Sequence, residues 1–112
     1  MPTYLANAFS LSMLSQLPAT LRVEELSGEV FCAEARSAIS VIGHEGTAQV
    51  LSQVCGFQVT TNRVAIRLSR GDAVLVLQLM ERLPEGRVLT AQEVEALINQ
   101  GKAKFLKVTV LE

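Results

Sequence analysis

The stretch from Ala73 to Met80 constrains the fold of this chain more than any other feature of its sequence. It reads AVLVLQLM, so seven of its eight residues are apolar. A run of this length and composition is typical of a central strand that is buried on both faces. The chain therefore has to provide a strand at each edge of this segment and a packing layer on each of its faces.

Four further segments are predicted to be strands. Thr3–Ala6 is short and apolar, and residues 20–26 and 104–111 alternate between apolar and polar side chains. Arg63–Leu68 alternates as well, and the turn Ser69–Asp72 that follows it predicts a hairpin with the central strand. Together these segments predict a mixed sheet of about five strands.

Helices are predicted between the strands. Residues 45–55 have apolar side chains at helical spacing, and Gly56 follows as a C-cap. The pattern TAQE, which begins at Thr90, is a capping box for a helix that Gly101 ends. The segment 28–37 fits either a strand or a short helix. This order predicts an α+β fold: one small domain over residues 1–112, with two or three helices.

The composition indicates a folded protein that associates with itself. Of its 112 residues, 49% are hydrophobic and 19% are charged, which is too apolar for a disordered chain. A domain this small leaves part of its apolar surface uncovered, so self-association is expected. The formal net charge of −1 argues against binding to duplex DNA, which draws its affinity from excess positive charge. A small anion held by a few arginines is compatible with it.

Other features predict where the chain acts and what it lacks. No apolar run approaches the roughly 20 residues of a membrane span, and the N-terminus does not resemble a signal peptide, so a cytoplasmic location is expected. The sequence contains no nucleotide-binding loop and no metal-ligand cluster, so neither a cofactor nor a metal is expected. Cys32 and Cys55 lack metal-type spacing and are expected to be core thiols rather than a disulfide.

His44 is the single histidine of the chain, and its neighbours make it a candidate for chemistry. It follows Gly43 and precedes the helix predicted over 45–55. The first N–H groups of a helix attract anions, and an imidazole beside a bound phosphate can give or take a proton near neutral pH. The alternative is a histidine that caps the helix or fills a surface niche.

A second group of candidates lies at the end of the central strand. Gln78 is its one polar residue, and a buried amide needs hydrogen-bond partners. Arg82 projects from the same face if the strand continues, and can hold two phosphate oxygens. Glu85 follows in a polar loop. A solvated turn explains the same residues equally well.

Four more residues are weaker candidates. Arg63 and Arg67 share a strand face that could extend a basic lining, although exposed arginines are more often solvated. Asn7 and Ser10 follow the first strand, where capping of a short helical turn by Ser10 explains them as well as a binding role does.

Four motifs, in order along the chain, carry a resemblance to a known family. They are YLANAFS from Tyr4, IGHEGT from Ile42, NRV from Asn62 and ERLPEGRVL from Glu81. In this order they resemble the type III anti-CRISPR ring nucleases, viral, prophage and cellular proteins that degrade cyclic tetra-adenylate.

The resemblance implies a homodimer that binds the cyclic messenger across its two-fold axis. It implies metal-independent cleavage by a ribose 2′-hydroxyl, which yields linear di-adenylate with a 2′,3′-cyclic phosphate and switches off type III CRISPR signalling. The family's catalytic residues fall on His44 as the acid for the departing 5′-oxygen, on Arg82 and on Glu85. Ligand-lining positions fall on Asn7, Ser10 and Arg63, to which the patterns above add Gly43 and Gln78.

Gly46 departs from the family pattern, which usually has a hydroxyl residue there. The departure favours an alternative, a protein that sequesters cyclic oligoadenylates without cleaving them. A third possibility is an interaction protein whose apolar surface docks a partner. If the protein is viral, its expected location is the host cytoplasm.

Overall fold

The apolar stretch forms the strand β4 (Ala73–Leu79), which has a hydrogen-bonded strand at each edge. The computed structural model describes residues 2–43, 45–79 and 90–111. On one side β4 pairs in parallel with β1 (Thr3–Ala6). On the other side it pairs antiparallel with β5 (Ala103–Val110). The central position predicted for this segment is confirmed.

Two outer strands complete a mixed sheet of five strands in the order β2-β5-β4-β1-β3. β2 (Leu21–Leu26) pairs antiparallel with β5, and β3 (Ile39–Ser40) pairs in parallel with β1. The strands β1, β3 and β4 therefore run in one direction, and their carboxyl ends meet at the same edge of the sheet.

Three α-helices in the described part of the chain cover one face of this sheet. They are α1 (Gly28–Ala35), α2 (Glu45–Cys55) and α3 (Ala91–Asn99). Phe31 from α1 and Leu51 from α2 are fully buried against Leu5 and Leu75 of the strands. The predicted α+β class, with five strands and three helices in one small domain, is confirmed.

Helices α2 and α3 begin and end at the residues that the sequence indicates, and α1 also has a capped N-terminus. Ser27 accepts a hydrogen bond from the Val30 N–H at the start of α1. Thr90 and Glu93 exchange both hydrogen bonds of a capping box, each 3.2 Å long. A glycine with positive φ follows both α2 and α3 (Gly56 at +77° and Gly101 at +76°), as a C-terminal turn in left-handed conformation requires.

The opposite face of the sheet is covered by irregular chain. Ala6, Val74 and Val76 point to this side, alternating with the residues that face the helices. They pack beneath Leu14 and Leu68, which lie on two segments joined by an isolated parallel bridge. The first of these segments includes a short 3-10 turn over residues 11–13, which Ser10 caps as predicted.

The predicted hairpin between Arg63–Leu68 and β4 is wrong. Both edges of β4 are occupied by β1 and β5, so no edge remains for a third strand. Residues 59–67 have no regular structure, and Leu68 makes an isolated parallel bridge with Leu14. Ile66 and Leu68 pack inward while Val64 is 52% exposed, so the apolar alternation reflects packing onto the sheet rather than strand pairing.

The structure also decides the conformation of the segment 28–37 and the state of the two cysteines. Gly28–Ser37 contains a helix, α1, followed by a turn. Cys32 and Cys55 form a disulfide instead of remaining core thiols. The two helices lie side by side on one face, and their Cα atoms at these positions are 5.2 Å apart, within the range that a disulfide spans. Beside it, the Arg36 guanidinium lies over the Phe57 ring at 4.8 Å.

None of the helices within the described ranges is long and apolar enough to cross a lipid bilayer.

The disulfide predicts a stability that depends on redox conditions. Reduction by a phosphine should lower the free energy of unfolding by about 2–4 kcal/mol, because the unfolded chain loses a cross-link. Denaturant unfolding with and without the reductant measures this difference. The double variant Cys32→Ser/Cys55→Ser should be insensitive to reductant. Iodoacetamide labelling of both cysteines in the unreduced, denatured protein would contradict the disulfide.

Candidate functional site

The site lies at the edge of the sheet where the parallel strands end. β1 ends at Ala6 and Asn7 follows it, while β3 ends at Ser40 and leads through residues 41–43 toward α2. Ligands of open α/β sheets bind in the crevice outside the carboxyl ends of strands. This edge of the sheet is therefore the expected location of a ligand-binding site.

Asn7 contacts the loop that leads into α2. Its Oδ1 accepts a hydrogen bond of 3.1 Å from the Gly43 N–H. Two residues earlier on each segment, the Val41 N–H donates to the Leu5 carbonyl at 2.9 Å, as in a parallel ladder. Two predicted site residues that are 36 positions apart in sequence are thus joined directly.

Arg63 lies across the same glycine. A Cβ atom added to Gly43 would be 3.3 Å from Arg63 Cγ and 3.7 Å from its Cδ. The φ of Gly43 is not positive, so its backbone does not require glycine. Because Gly43 has no side chain, there is room beside it for the aliphatic part of Arg63. Arg63 as a whole is exposed to solvent.

Asn62 holds the segment that carries Arg63. Its N–H donates to the Ile42 carbonyl at 2.9 Å, and its Nδ2 donates to the Ser40 carbonyl at 3.1 Å. Ser40 Oγ in turn donates to the Thr60 carbonyl. Neither Asn62 nor Ser40 was predicted to be a site residue, although Asn62 begins the NRV motif. We call Asn7, Gly43, Arg63 and the start of α2 the strand-end site.

The remaining described candidates have different surroundings. Gln78 is exposed near the carboxyl end of β4, so the expectation of a buried amide is wrong, although it shares the edge with the strand-end site. Ser10 Oγ lies 2.9 Å from Ser12 Oγ and accepts from the Ser12 N–H. Arg67 Nη1 donates to the Ser12 carbonyl at 2.9 Å, which ties Arg67 to that turn instead of to a basic lining.

The three predicted catalytic residues lie outside the described residues. His44 falls between Gly43 and the first residue of α2, Glu45, and Arg82 and Glu85 fall in the stretch 80–89. Among the residues that the structure describes, no group of three or more His, Cys, Asp or Glu side chains could hold a metal ion.

The strand-end site combines groups that suit an anion. The first N–H groups of a helix lack intrahelical acceptors, and the helix dipole favours negative charge there. An arginine adds a guanidinium that can donate two parallel hydrogen bonds to phosphate oxygens. The fold and the site define a small α+β domain with a polar site at the carboxyl edge of three parallel strands.

Comparison with known proteins identifies the family. The STIV B116-like family matches residues 3–104, and the chain belongs to it. The solved structure of B116 from Sulfolobus turreted icosahedral virus is 35% identical, with a TM-score of 0.80 over 97% of this chain and 99% of that one.

Two viral sequences are also similar. Uncharacterized protein ORF116 of Acidianus filamentous virus 1 is 29% identical and aligns over 94% of this chain and 92% of its own length. Uncharacterized protein 26 of Sulfolobus islandicus filamentous virus is 32% identical over 84% of this chain and 82% of its own.

These matches correct the family expected from the sequence motifs. The family that matches is STIV B116-like, a family of crenarchaeal virus proteins, and not a ring nuclease family. The relatives named above carry no ring-nuclease name, and two of them are called uncharacterized. Any activity of this chain therefore has to be argued from its own residues.

The close contact at Gly43 can be tested by a double-mutant cycle. Gly43→Ala should lower the free energy of unfolding by about 1 kcal/mol, because the added methyl group crowds the Arg63 side chain. The cost should largely disappear in the Arg63→Ala background, which lacks Cγ and Cδ. Denaturant unfolding of the four proteins measures the coupling.

Gly28→Ala is the matched control for this cycle. Its added Cβ would meet the Phe105 ring at the same distance of 3.3 Å, so its cost should not depend on residue 63. An equal cost of Gly43→Ala with and without the Arg63 side chain would show that the two residues do not touch.

Proposed function

We propose that the chain binds cyclic tetra-adenylate at the strand-end site and cleaves it, without a metal ion, to linear di-adenylate ending in a 2′,3′-cyclic phosphate. The cleavage removes the messenger that activates type III CRISPR defence. On this proposal the protein acts in the host cytoplasm, where that messenger is made.

The contact of Arg63 with Gly43 is the observation that carries the proposal. It places the aliphatic stem of Arg63 against Gly43, one position before the single histidine of the sequence and two before α2. A phosphodiester held by the arginine and by helix N–H groups has its charge neutralised from two directions. His44 follows directly in the chain, and an imidazole is the side chain best suited to proton transfer near neutral pH.

The reaction that these groups support is the internal transfer of a phosphoryl group. The ribose 2′-oxygen attacks the adjacent phosphorus, the bond to the 5′-oxygen breaks, and the 2′-hydroxyl proton passes to solvent. His44 as imidazolium gives its proton to the departing 5′-oxygen. Arg82 neutralises the charge that develops on the phosphoryl oxygens, and Glu85 orients Arg82 or His44.

A cyclic substrate is consistent with the charge and the expected symmetry. The net charge of −1 disfavours a long polyanion, whereas a ring of four nucleotides presents few phosphates. A two-fold dimer offers two equivalent sites, and a ring of four nucleotides can present two of its four phosphates to them in equivalent positions.

Sequestration without cleavage is the second candidate. Gly46 is the second residue of α2 and has no side chain, so it offers a bound phosphate no hydroxyl group. Glycine also weakens a helix start by about 0.5–1 kcal/mol. Both effects reduce the precision with which the start of α2 can hold a reacting phosphate.

The proposal predicts turnover in the absence of metal. Incubation of the protein with cyclic tetra-adenylate in EDTA should give linear di-adenylate, resolved by chromatography and mass spectrometry. His44→Ala should slow turnover by about 10²- to 10⁴-fold, because a general acid is lost. Binding of the ring, measured by titration calorimetry, should survive the substitution.

The other outcomes of this experiment favour a different function or mechanism. An intact ring that nevertheless binds both proteins would favour sequestration. An intact ring with no binding of any cyclic oligoadenylate would favour an interaction protein. Turnover that His44→Ala leaves unchanged would contradict the assigned mechanism.

Arg63 predicts a salt-dependent contribution to binding. Arg63→Ala should weaken binding of cyclic tetra-adenylate about 10- to 100-fold, as expected for the loss of a charge-assisted hydrogen bond. The dependence of affinity on salt should become shallower, because one phosphate contact is gone. Arg70→Ala is the matched control, since Arg70 is exposed before β4, at the opposite end of the parallel strands. Equal effects of the two substitutions would argue against a phosphate site at Arg63.

A further inference from the structure

Two asparagines hold residues 40–43 from opposite sides. Asn7 accepts from the Gly43 N–H through Oδ1 at 3.1 Å. Asn62 donates from its backbone N–H to the Ile42 carbonyl and from Nδ2 to the Ser40 carbonyl, at 2.9 and 3.1 Å. Residues 41–43 have no regular secondary structure, yet both of their sides are hydrogen-bonded.

Asn7 substitutes for a rung of the parallel ladder. The Val41 N–H donates to the Leu5 carbonyl, so a continued ladder would pair the Gly43 N–H with the backbone carbonyl of residue 7. The Asn7 side chain provides the acceptor instead. The peptide of Gly43 is therefore satisfied although β3 ends at Ser40, and the chain is free to turn into α2.

Asn62 acts in the same way on the outer side of β3. The carbonyls of Ser40 and Ile42 are on this outer side, and Asn62 donates a hydrogen bond to each. Its backbone N–H donates to Ile42 and its side-chain Nδ2 donates to Ser40. This fixes residue 62 relative to the loop. Arg63 follows immediately and packs on Gly43.

We infer that Asn7 and Asn62 are positioning residues that clamp residues 40–43 and thereby set the start of α2 and the location of Arg63. Their effect on turnover rests on the proposed function, whereas the clamp itself does not. Asn7 Oδ1 accepts from the Gly43 N–H, so Asn7 affects the site through the loop 41–43. Its Nδ2 is the group that remains to donate to a ligand.

Amide hydrogen exchange in the ligand-free protein tests the clamp. Asn7→Ala should speed exchange of the Gly43 N–H about five- to tenfold, because its acceptor is removed. Asn7→Asp keeps an acceptor oxygen at the same position and should change that rate less than about threefold. Asn99→Ala, at the end of α3, controls for a general effect of the substitution.

The reciprocal pattern is expected at position 62, where the side chain donates. Asn62→Ala and Asn62→Asp should both speed exchange of the residue 62 N–H about five- to tenfold, since neither retains the Nδ2 donor. Rescue by aspartate at position 7 but not at position 62 is the signature of the two opposite hydrogen-bond directions. Unchanged exchange of the Gly43 N–H in Asn7→Ala, or of the residue 62 N–H in Asn62→Ala, would overturn the inference.

Kinetics with cyclic tetra-adenylate separate positioning from ligand contact. Asn7→Ala should lower kcat about 10- to 100-fold and leave KM within about threefold, since the reacting groups are misplaced but the ligand contacts remain. A raised KM with unchanged kcat would assign Asn7 to ligand contact and overturn its positioning role. Absence of turnover by the unsubstituted protein would contradict the proposed function, and the exchange rates would then decide on the clamp.

Discussion

The pairing of β4 on both edges is the constraint on which the rest of the structure depends. Four consecutive residues, Ala73–Val76, are buried, and Leu75 lies in one core while Val74 and Val76 lie in another. A strand of this kind has to be central, which requires β1 on one side and β5 on the other. The parallel pairing with β1 in turn brings the end of β1 and the end of β4 to one edge, where the strand-end site forms.

The sequence predicts the elements better than it predicts their partners. The strands around β4, the helix over 45–55 and the capping box at Thr90 follow from local pattern, because burial and capping depend on neighbours in sequence. The hairpin at Arg63–Leu68 was wrong because alternation reports which side of a segment is buried, not whether its backbone is paired. The disulfide was missed for a similar reason, since the proximity of Cys32 and Cys55 arises from the packing of α1 on α2.

The site was predictable to the level of residue types but not of contacts. Asn7, Gly43 and Arg63 were selected separately, and the structure brings them together. Their roles could not be predicted from the sequence. The side chain of Asn7 replaces a backbone acceptor of the parallel ladder, and this is known only from the register of β1 and β3. Asn62 gave no chemical signal, since an asparagine that bonds carbonyls looks like any polar loop residue.

A chain with a net charge of −1 can still offer a positive site because its charges are unevenly distributed. At the β2–β5 side of the sheet, acidic groups are paired with bases: Lys107 with Glu34 at 2.7 Å, and Lys104 with Glu25 at 3.5 Å. The segment 56–71, in contrast, has three arginines and no acidic residue. Of these, Arg67 is bonded to the Ser12 carbonyl, while Arg63 packs its stem on Gly43 and stays exposed. On the proposed function, anion recognition depends on the place of one guanidinium rather than on total charge. The hydrogen bonds that fix residues 62 and 43 then matter more to the candidate site than the overall composition does.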